Sequence, residues 1–211
     1  MTALGPDDVW VFGGPGADPG VGTWHFNGHS WTQITSAPGN GIVTASALSA
    51  ANMWAIGSAT APQDSIAHYT GSWHAVSAPA LTGLQFTAIA AVSRFDVWAV
   101  GTIQTNGFRP RLVHRTGRGW SRITVPWQVA PIDLAPDGRG GLWITAEDSS
   151  GLLAIHRSAT GSWSRTTIGP TASMLRLTLI PGTTSLWGVG SAKSTSTSGV
   201  NAAVWAHGRV G

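Results

Sequence analysis

The sequence predicts an all-β chain folded as a β-propeller of about five four-stranded blades, the last one incomplete. Three observations predict it. A motif reading Asp-Val-Trp-Ala-Val-Gly, with drift, centres on Trp10, Trp54, Trp98, Trp143 and Trp187 at spacings of 44, 44, 45 and 44 residues. Behind a Gly turn, a second Trp follows each of the first four copies, at Trp31, Trp73, Trp120 and Trp163. The composition is rich in Gly (28) and Trp (12) with only 10% charged residues, against roughly 25% in an ordinary soluble domain. A period of about 40–45 residues is the length at which four short strands repeat as a propeller blade.

The best copy shows the blade strand by strand. Residues 86–93 (FTAIAAVS) form an apolar run of small side chains, suited to the crowded innermost position. Residues 96–102 (DVWAVGT) follow a tight turn, 111–116 (RLVHRT) a longer loop, and 119–125 (GWSRITV) a Thr-Gly turn. Gly at the tight turns supplies the positive φ that hairpins require. No stretch sustains a 3.6-residue period, so almost no helix is expected. Blade repeats fall at about 1–36, 42–78, 85–125, 128–168 and 173–211, within one domain spanning 1–211. The fifth copy has no second Trp. A ring closed on this short edge, a piece of a larger propeller, and a homo-oligomer formed through the incomplete blade all follow from that.

Charge excludes some classes. The net charge is +3, and every basic residue except Lys193 is Arg. The Arg residues are spread at strand-like spacing, with Arg109 and Arg111 the densest pair, so the clustered patch of a nucleic-acid binder is absent and no such partner is expected. No run approaches the ~18 apolar residues of a membrane helix. With no Cys, disulfides, thiolate catalysis and Cys-ligated zinc are excluded. The N-terminal residues do not read as a signal peptide.

On these residues the chain resembles tandem-repeat β-propeller proteins common in actinobacteria. Their units read approximately Ser-x-x-Asp-Val-Trp-Ala-Val-Gly, then Leu-x-x-His-x-x-Gly-x-x-Trp. The resemblance runs from Asp7 to about Gly208 and is best at Ser93–Gly101 and Leu112–Trp120. In the fourth copy, Asp137-Gly138-Arg139-Gly140-Gly141-Leu142-Trp143 resembles the units of sensor and streptogramin-lyase-like propellers instead. The resemblance implies the fold and favours an extracytoplasmic location; it implies little about chemistry.

Candidate chemistry is sparse. His25, His68, His114 and His156 recur at matching strand positions, and Trp205 is read as their counterpart in the fifth copy. Equivalent third-strand residues lie about 10 Å outside the innermost strand and point from different blades, so each His is expected to bond within its own blade rather than to share a metal. Asp8 and Asp96 read as turn residues, with Asn52 in the same place. Glu147 and Asp148 are adjacent in a strand and diverge, which disfavours paired acid–base work. No metal, cofactor or catalytic set is assigned. Asp133 and Arg176 interrupt innermost strands, where they are expected to pair or to receive a polar ligand.

Binding is expected on the face carrying the long loops: residues 14–21, 59–65, 103–110 and 191–199, and the links after Ser36, Ala78 and Val125. Trp127 has no counterpart in other copies, and an exposed indole there, with Phe108, Arg109, Arg111 and Gln128, would stack a sugar or an aromatic side chain. The leading expectation is a non-catalytic binding propeller that captures a glycan or a peptide. The alternatives are a lyase or hydrolase with its site in the axial funnel, and a structural repeat that self-assembles.

Overall fold

The computed structural model describes residues 1–13, 22–34, 41–57, 65–104, 108–169, 172–180, 182–193 and 199–207. The fold is a β-propeller made of antiparallel meanders, each one a blade. Blade 1 comprises β1 (Thr2–Gly5), β2 (Asp8–Val11), β3 (Thr23–Phe26) and β4 (Trp31–Ile34). Blade 2 comprises β5 (Ile42–Ser49), β6 (Asn52–Gly57), β7 (Ser65–Tyr69) and β8 (Trp73–Ala75). Blade 3 comprises β9 (Gln85–Ser93), β10 (Asp96–Gln104), β11 (Phe108–Thr116) and β12 (Gly119–Ile123). Blade 4 comprises β13 (Ala130–Pro136), β14 (Leu142–Asp148), β15 (Gly151–Arg157) and β16 (Trp163–Gly169). Blade 5 has three strands among the described residues: β17 (Ala172–Leu179), β18 (Leu186–Lys193) and β19 (Val200–His207).

The strands of the best copy agree with the sequence expectation to within a few residues. Helix among the described residues is limited to a 3-10 turn at Pro79–Leu81. Contacts divide the chain into two compact units, Met1–Gly107 with Arg111–Thr124, and Phe108–Pro110 with Val125–Gly211.

In the first unit, neighbouring blades touch through their first strands, β1 with β5 and β5 with β9. This agrees with the innermost place predicted for the small-residue run. Ser46 Oγ accepts the Ala91 N–H at 2.9 Å and pins β9 to β5. The core between blades 2 and 3 gathers Trp54, Ile56, Ile66, Leu84, Phe86, Val97 and Val113. Trp54 is only 1% exposed; hiding an indole of 150–250 Å² contributes about 4–6 kcal/mol before entropy is counted.

Three of the blade Trp residues, Trp10, Trp54 and Trp143, are covered in the same way. The residue after the repeat His, on the third strand of one blade, packs on the indole of the blade before it. Tyr69 meets Trp10 edge-on at 5.4 Å, and the Arg115 guanidinium lies 5.0 Å over Trp54, which also receives the edge of Trp120 at 5.8 Å. Arg122 adds a brace between elements: its Nε and guanidinium N–H groups donate to the carbonyls of Ala80 and Thr82 at 2.8 and 2.7 Å. The link between blades 2 and 3 is thereby tied to the outer strand β12.

The motif glycine Gly101 has a different purpose from a turn glycine. A Cβ there would collide with the Gln85 carbonyl and the Phe86 Cα of the paired strand, at a register shift in the β9–β10 ladder. Close backbone approach, not positive φ, requires Gly at this position.

In the second unit, β13 meets β17, and the core includes Leu134, Leu142, Ile144, Ala146, Leu152, Leu153 and Ile155. Asp133 Oδ2 accepts the Leu177 N–H at 2.7 Å and fastens blade 4 to blade 5. The same covering recurs here, with His207 placed on Trp143 at 4.7 Å.

Candidate functional site

Four blades contain the same polar unit. The second-strand Trp stacks on the imidazole opposite it: Trp10 on His25 at 4.2 Å, Trp54 on His68 at 4.0 Å, Trp98 on His114 at 3.5 Å and Trp143 on His156 at 4.4 Å. Each Nε2 then meets an oxygen of its own blade. The partners are Asp8 at 3.0 Å, Asn52 at 2.8 Å, Asp96 at 2.8 Å and Asp137 at 2.9 Å. Carboxylate and amide oxygens only accept, so Nε2 carries the proton in every unit. The histidines thus bond within their own blades, as their spacing predicts. Asp8 and Asp96 do more than the turn-capping expected of them, because they receive the imidazole, and Asp8 also receives the Trp10 indole N–H at 2.9 Å. Burial lowers the His68 pKa, and the positive charge of Arg115 and the neighbouring His74 add to that. Among the described residues, no three His, Cys, Asp or Glu side chains group where they could hold a metal ion.

The fourth and fifth copies break the pattern, and a cleft forms there. In the fourth copy the acid has moved back to Asp137, ahead of a Gly-rich turn, yet it still reaches His156. Burial pushes the Asp137 carboxyl up, but the hydrogen bonds from His156 and from the N–H groups of Arg139 and Gly141 outweigh this and hold it below the ordinary carboxylate range. In the fifth copy the register sets Ala206 opposite Trp187, and Trp205 opposite Gly188. This corrects the expectation that Trp205 takes the histidine's place: the one-residue offset turns its side chain to the other face of the sheet, where it packs against Leu152.

The result is a cleft of about 990 Å³. The Asp137–Gly141 turn, Trp143, the turn around Thr183 and the end of β19 at His207 wall it. A smaller apolar cavity of about 270 Å³ continues between the two sheets, with Trp143, Ile168, Leu177, Trp205 and His207 on its walls. Indole, imidazole, guanidinium (Arg139) and hydroxyl groups (Thr183, Thr184) line one open space, a mixture suited to recognition. The carboxylate and imidazole best placed for proton transfer, Asp137 and His156, are already bonded to each other and to the turn.

The residues proposed from sequence do not form one site. Trp127 is buried at 5% exposure and presents its ring edge-on to Trp163 at 6.2 Å. The expected exposed stacking platform is therefore corrected to a packing residue, because the second Trp of blade 4 needs a neighbour in the preceding link. Gln128 and Arg109 are exposed and Arg111 is half-buried. The Phe108 side chain lies outside the described residues, as do residues 14–21, 59–64, 105–107 and 194–198 of the proposed loop face. Asp133 is buried and held by Leu177, whereas Arg176 is exposed. Burial raises the Asp133 pKa to about 6, opposed by the N–H groups of Leu177 and Leu134 and by the charge of Arg176. Glu147 is exposed, while Asp148 turns to accept from Ser150 in the next turn.

Sequence reasoning missed the cleft. It opens at the β13–β14 turn, the opposite end of blade 4 from Trp127, by the antiparallel order of the strands. Two signals pointed there: the Gly-rich Asp137–Gly141 segment, and a fifth copy without the repeat His.

No protein-family profile matches the chain, and no curated protein matches it. Solved structures do. A protein of unknown function from Bacteroides caccae superposes with a TM-score of 0.55 at 7% identity, over 93% of this chain and 73% of that one. A catalytically inactive virginiamycin B lyase from Staphylococcus aureus, solved with quinupristin, superposes with a TM-score of 0.53 at 13% identity. The match covers 89% of this chain and 64% of the lyase. At such identity the likeness is one of fold, and the chain shares the β-propeller architecture of these neighbours.

Proposed function

We propose that this chain is a non-catalytic binding propeller and that its ligand is a polypeptide seated in the cleft beside Trp143. The observation that supports this most is the state of the groups around that cleft. The Asp137–His156 pair is bound up in the blade's own scaffold, while the remaining walls offer an aromatic face, hydroxyls and the Arg139 guanidinium to an incoming chain. A peptide fits this mixture through backbone hydrogen bonds and one aromatic anchor. The apolar cavity behind the cleft favours a hydrophobic side chain over a sugar ring edged by hydroxyls.

The test is a peptide display selection on the whole protein, run beside a glycan array. Peptides enriched on the parent are expected to lose most of their affinity on Arg139→Glu, a change at an exposed side chain, with the circular dichroism unchanged. Ligands indifferent to that substitution, or sugars as the only ligands found, would overturn the reading.

A further inference from the structure

The seam between blades 2 and 3 carries the repeat's polar unit without its carboxylate. In blade 1, Asp8 accepts both the His25 Nε2–H at 3.0 Å and the Trp10 indole N–H at 2.9 Å. Blade 2 has Asn52 in that place. Its one side-chain oxygen accepts from His68 at 2.8 Å, and the buried Trp54 indole N–H has no acceptor among the described residues. The rest of the Asn52 amide can only donate. Donors therefore outnumber acceptors here, and the negative charge that Asp8, Asp96 and Asp137 bring to the other units is missing.

Blade 3 adds cations to the same seam. The Arg115 guanidinium lies 5.0 Å over Trp54 and 5.8 Å from the centre of the Phe95 ring, and its Nη1 donates to the Arg94 carbonyl at 2.6 Å. Arg94 holds its own guanidinium 4.5 Å over Phe95. One ring thus attracts two cations. Arg118 emerges at the same end of the blade, because the β9–β10 and β11–β12 turns of a meander share an end. Among the described residues, no carboxylate forms an ion pair with Arg94, Arg115 or Arg118, and the neighbouring Asp96 is bonded to His114 instead. The charge is felt inside the blade as well: burial lowers the His68 pKa, and Arg115 and His74 lower it further. The rim is open, with Arg94 exposed and Phe95 47% exposed.

We propose that this seam binds an acidic segment of a partner polypeptide, whose carboxylates pair with Arg94 and Arg115 while an apolar side chain beside them packs on Phe95. A guanidinium fork matches a carboxylate in geometry as well as charge. Three Arg side chains are few for a nucleic-acid track, which draws its affinity from many phosphates. The Arg94 guanidinium already covers a face of Phe95, which leaves little platform for a stacked base or sugar. Asn52 keeps the seam receptive, since an Asp there would supply the missing charge from within. The site shares no residue with the cleft beside Trp143, and the two readings stand or fall separately.

The probe is the acetylated, amidated peptide GDELFEDG, titrated against the full chain by calorimetry beside its neutral counterpart GNQLFQNG. Micromolar binding of the acidic peptide alone is expected, weakening as salt is raised, with the Nε–H resonances of Arg94 and Arg115 shifting on the way to saturation. Arg94→Glu should weaken it at least about fivefold, since reversal turns attraction into repulsion. Arg165→Glu makes the same change of net charge at an exposed residue of blade 4 and should leave binding as it was. Asn52→Asp is the decisive variant: it restores the residue used in blade 1, so the chain should fold at least as stably, yet the acidic peptide should bind at least about fivefold more weakly. Equal binding of both peptides, equal loss from Arg94→Glu and Arg165→Glu, or full binding by Asn52→Asp would overturn the proposal. Sulfate that displaces the peptide better than chloride at matched ionic strength would reduce the seam to a free-anion site and overturn it too.

Discussion

His156 Nε2 lies 2.9 Å from Asp137 Oδ2, although this acid stands six residues before Trp143, whereas Asp8 and Asp96 stand two before Trp10 and Trp98. Four extra turn residues are absorbed without losing the carboxylate–imidazole bond. Asp137 manages this by also accepting the N–H groups of Arg139 at 2.7 Å and Gly141 at 2.8 Å, so that one side chain both shapes the longer turn and orients the imidazole.

Asp137→Ala should therefore cost more than the same change at Asp96. Three hydrogen bonds at a buried carboxylate predict a loss of about 2–3 kcal/mol, against about 1 kcal/mol for the more exposed Asp96. Denaturant unfolding at neutral pH measures both. Because the folded-state pKa of Asp137 is lowered from 3.8, its contribution is present above that pH and is lost as pH falls through the lowered value. The gap between the two variants should close in strong acid.

Asp133 has the opposite sign. Its folded pKa is raised from 3.8 to about 6, so its contribution is whole below pH 3.8 and is lost as pH rises through about 6. Asp133→Asn keeps an oxygen for the Leu177 N–H and removes the buried charge. The variant is expected to match the parent near pH 4 and to exceed it at pH 8 by on the order of 2–3 kcal/mol. Urea midpoints at the two pH values decide it, and equal differences at both would refute the assignment.

The repeat tryptophans should separate by burial despite their shared motif. Trp54→Ala empties a site sealed by Trp120 and Arg115 and should cost about 3–5 kcal/mol. Trp187 is 48% exposed, and Trp187→Ala should cost under about 1 kcal/mol. Thermal unfolding of the pair reads the difference.

Gly101→Ala tests the close approach in blade 3. The added methyl meets the backbone of β9 rather than a movable side chain, so about 2 kcal/mol or more should be lost. Gly71→Ala is its companion: nothing lies within 4 Å of a Cβ there, but its φ of +97° leaves only the smaller conformational penalty of about 1 kcal/mol.

The blades were legible in sequence because strand periodicity, turn glycines and the Trp spacing are local signals repeated in tandem. The histidines were legible for the same reason: a position filled alike in successive copies bonds to what recurs beside it, as His114 does with Asp96. Trp127 was not. A residue without a repeat counterpart carries no periodic label, and whether its indole faces water depends on Trp163, some distance along the chain. The cleft was hidden for a related reason. It arises where the fifth copy departs from the repeat next to Trp143, and the one-residue difference between Trp205 and Ala206 that decides the register is set by pairing with β18.

The Arg122 brace has a consequence for how the first unit comes apart. By holding the Ala80 and Thr82 carbonyls from an outer strand, it removes the hinge at which two neighbouring sheets would otherwise peel away in sequence. Blades 2 and 3 should open together, as a single cooperative block, and a pulling force applied along the chain should register one large rupture there instead of two small ones.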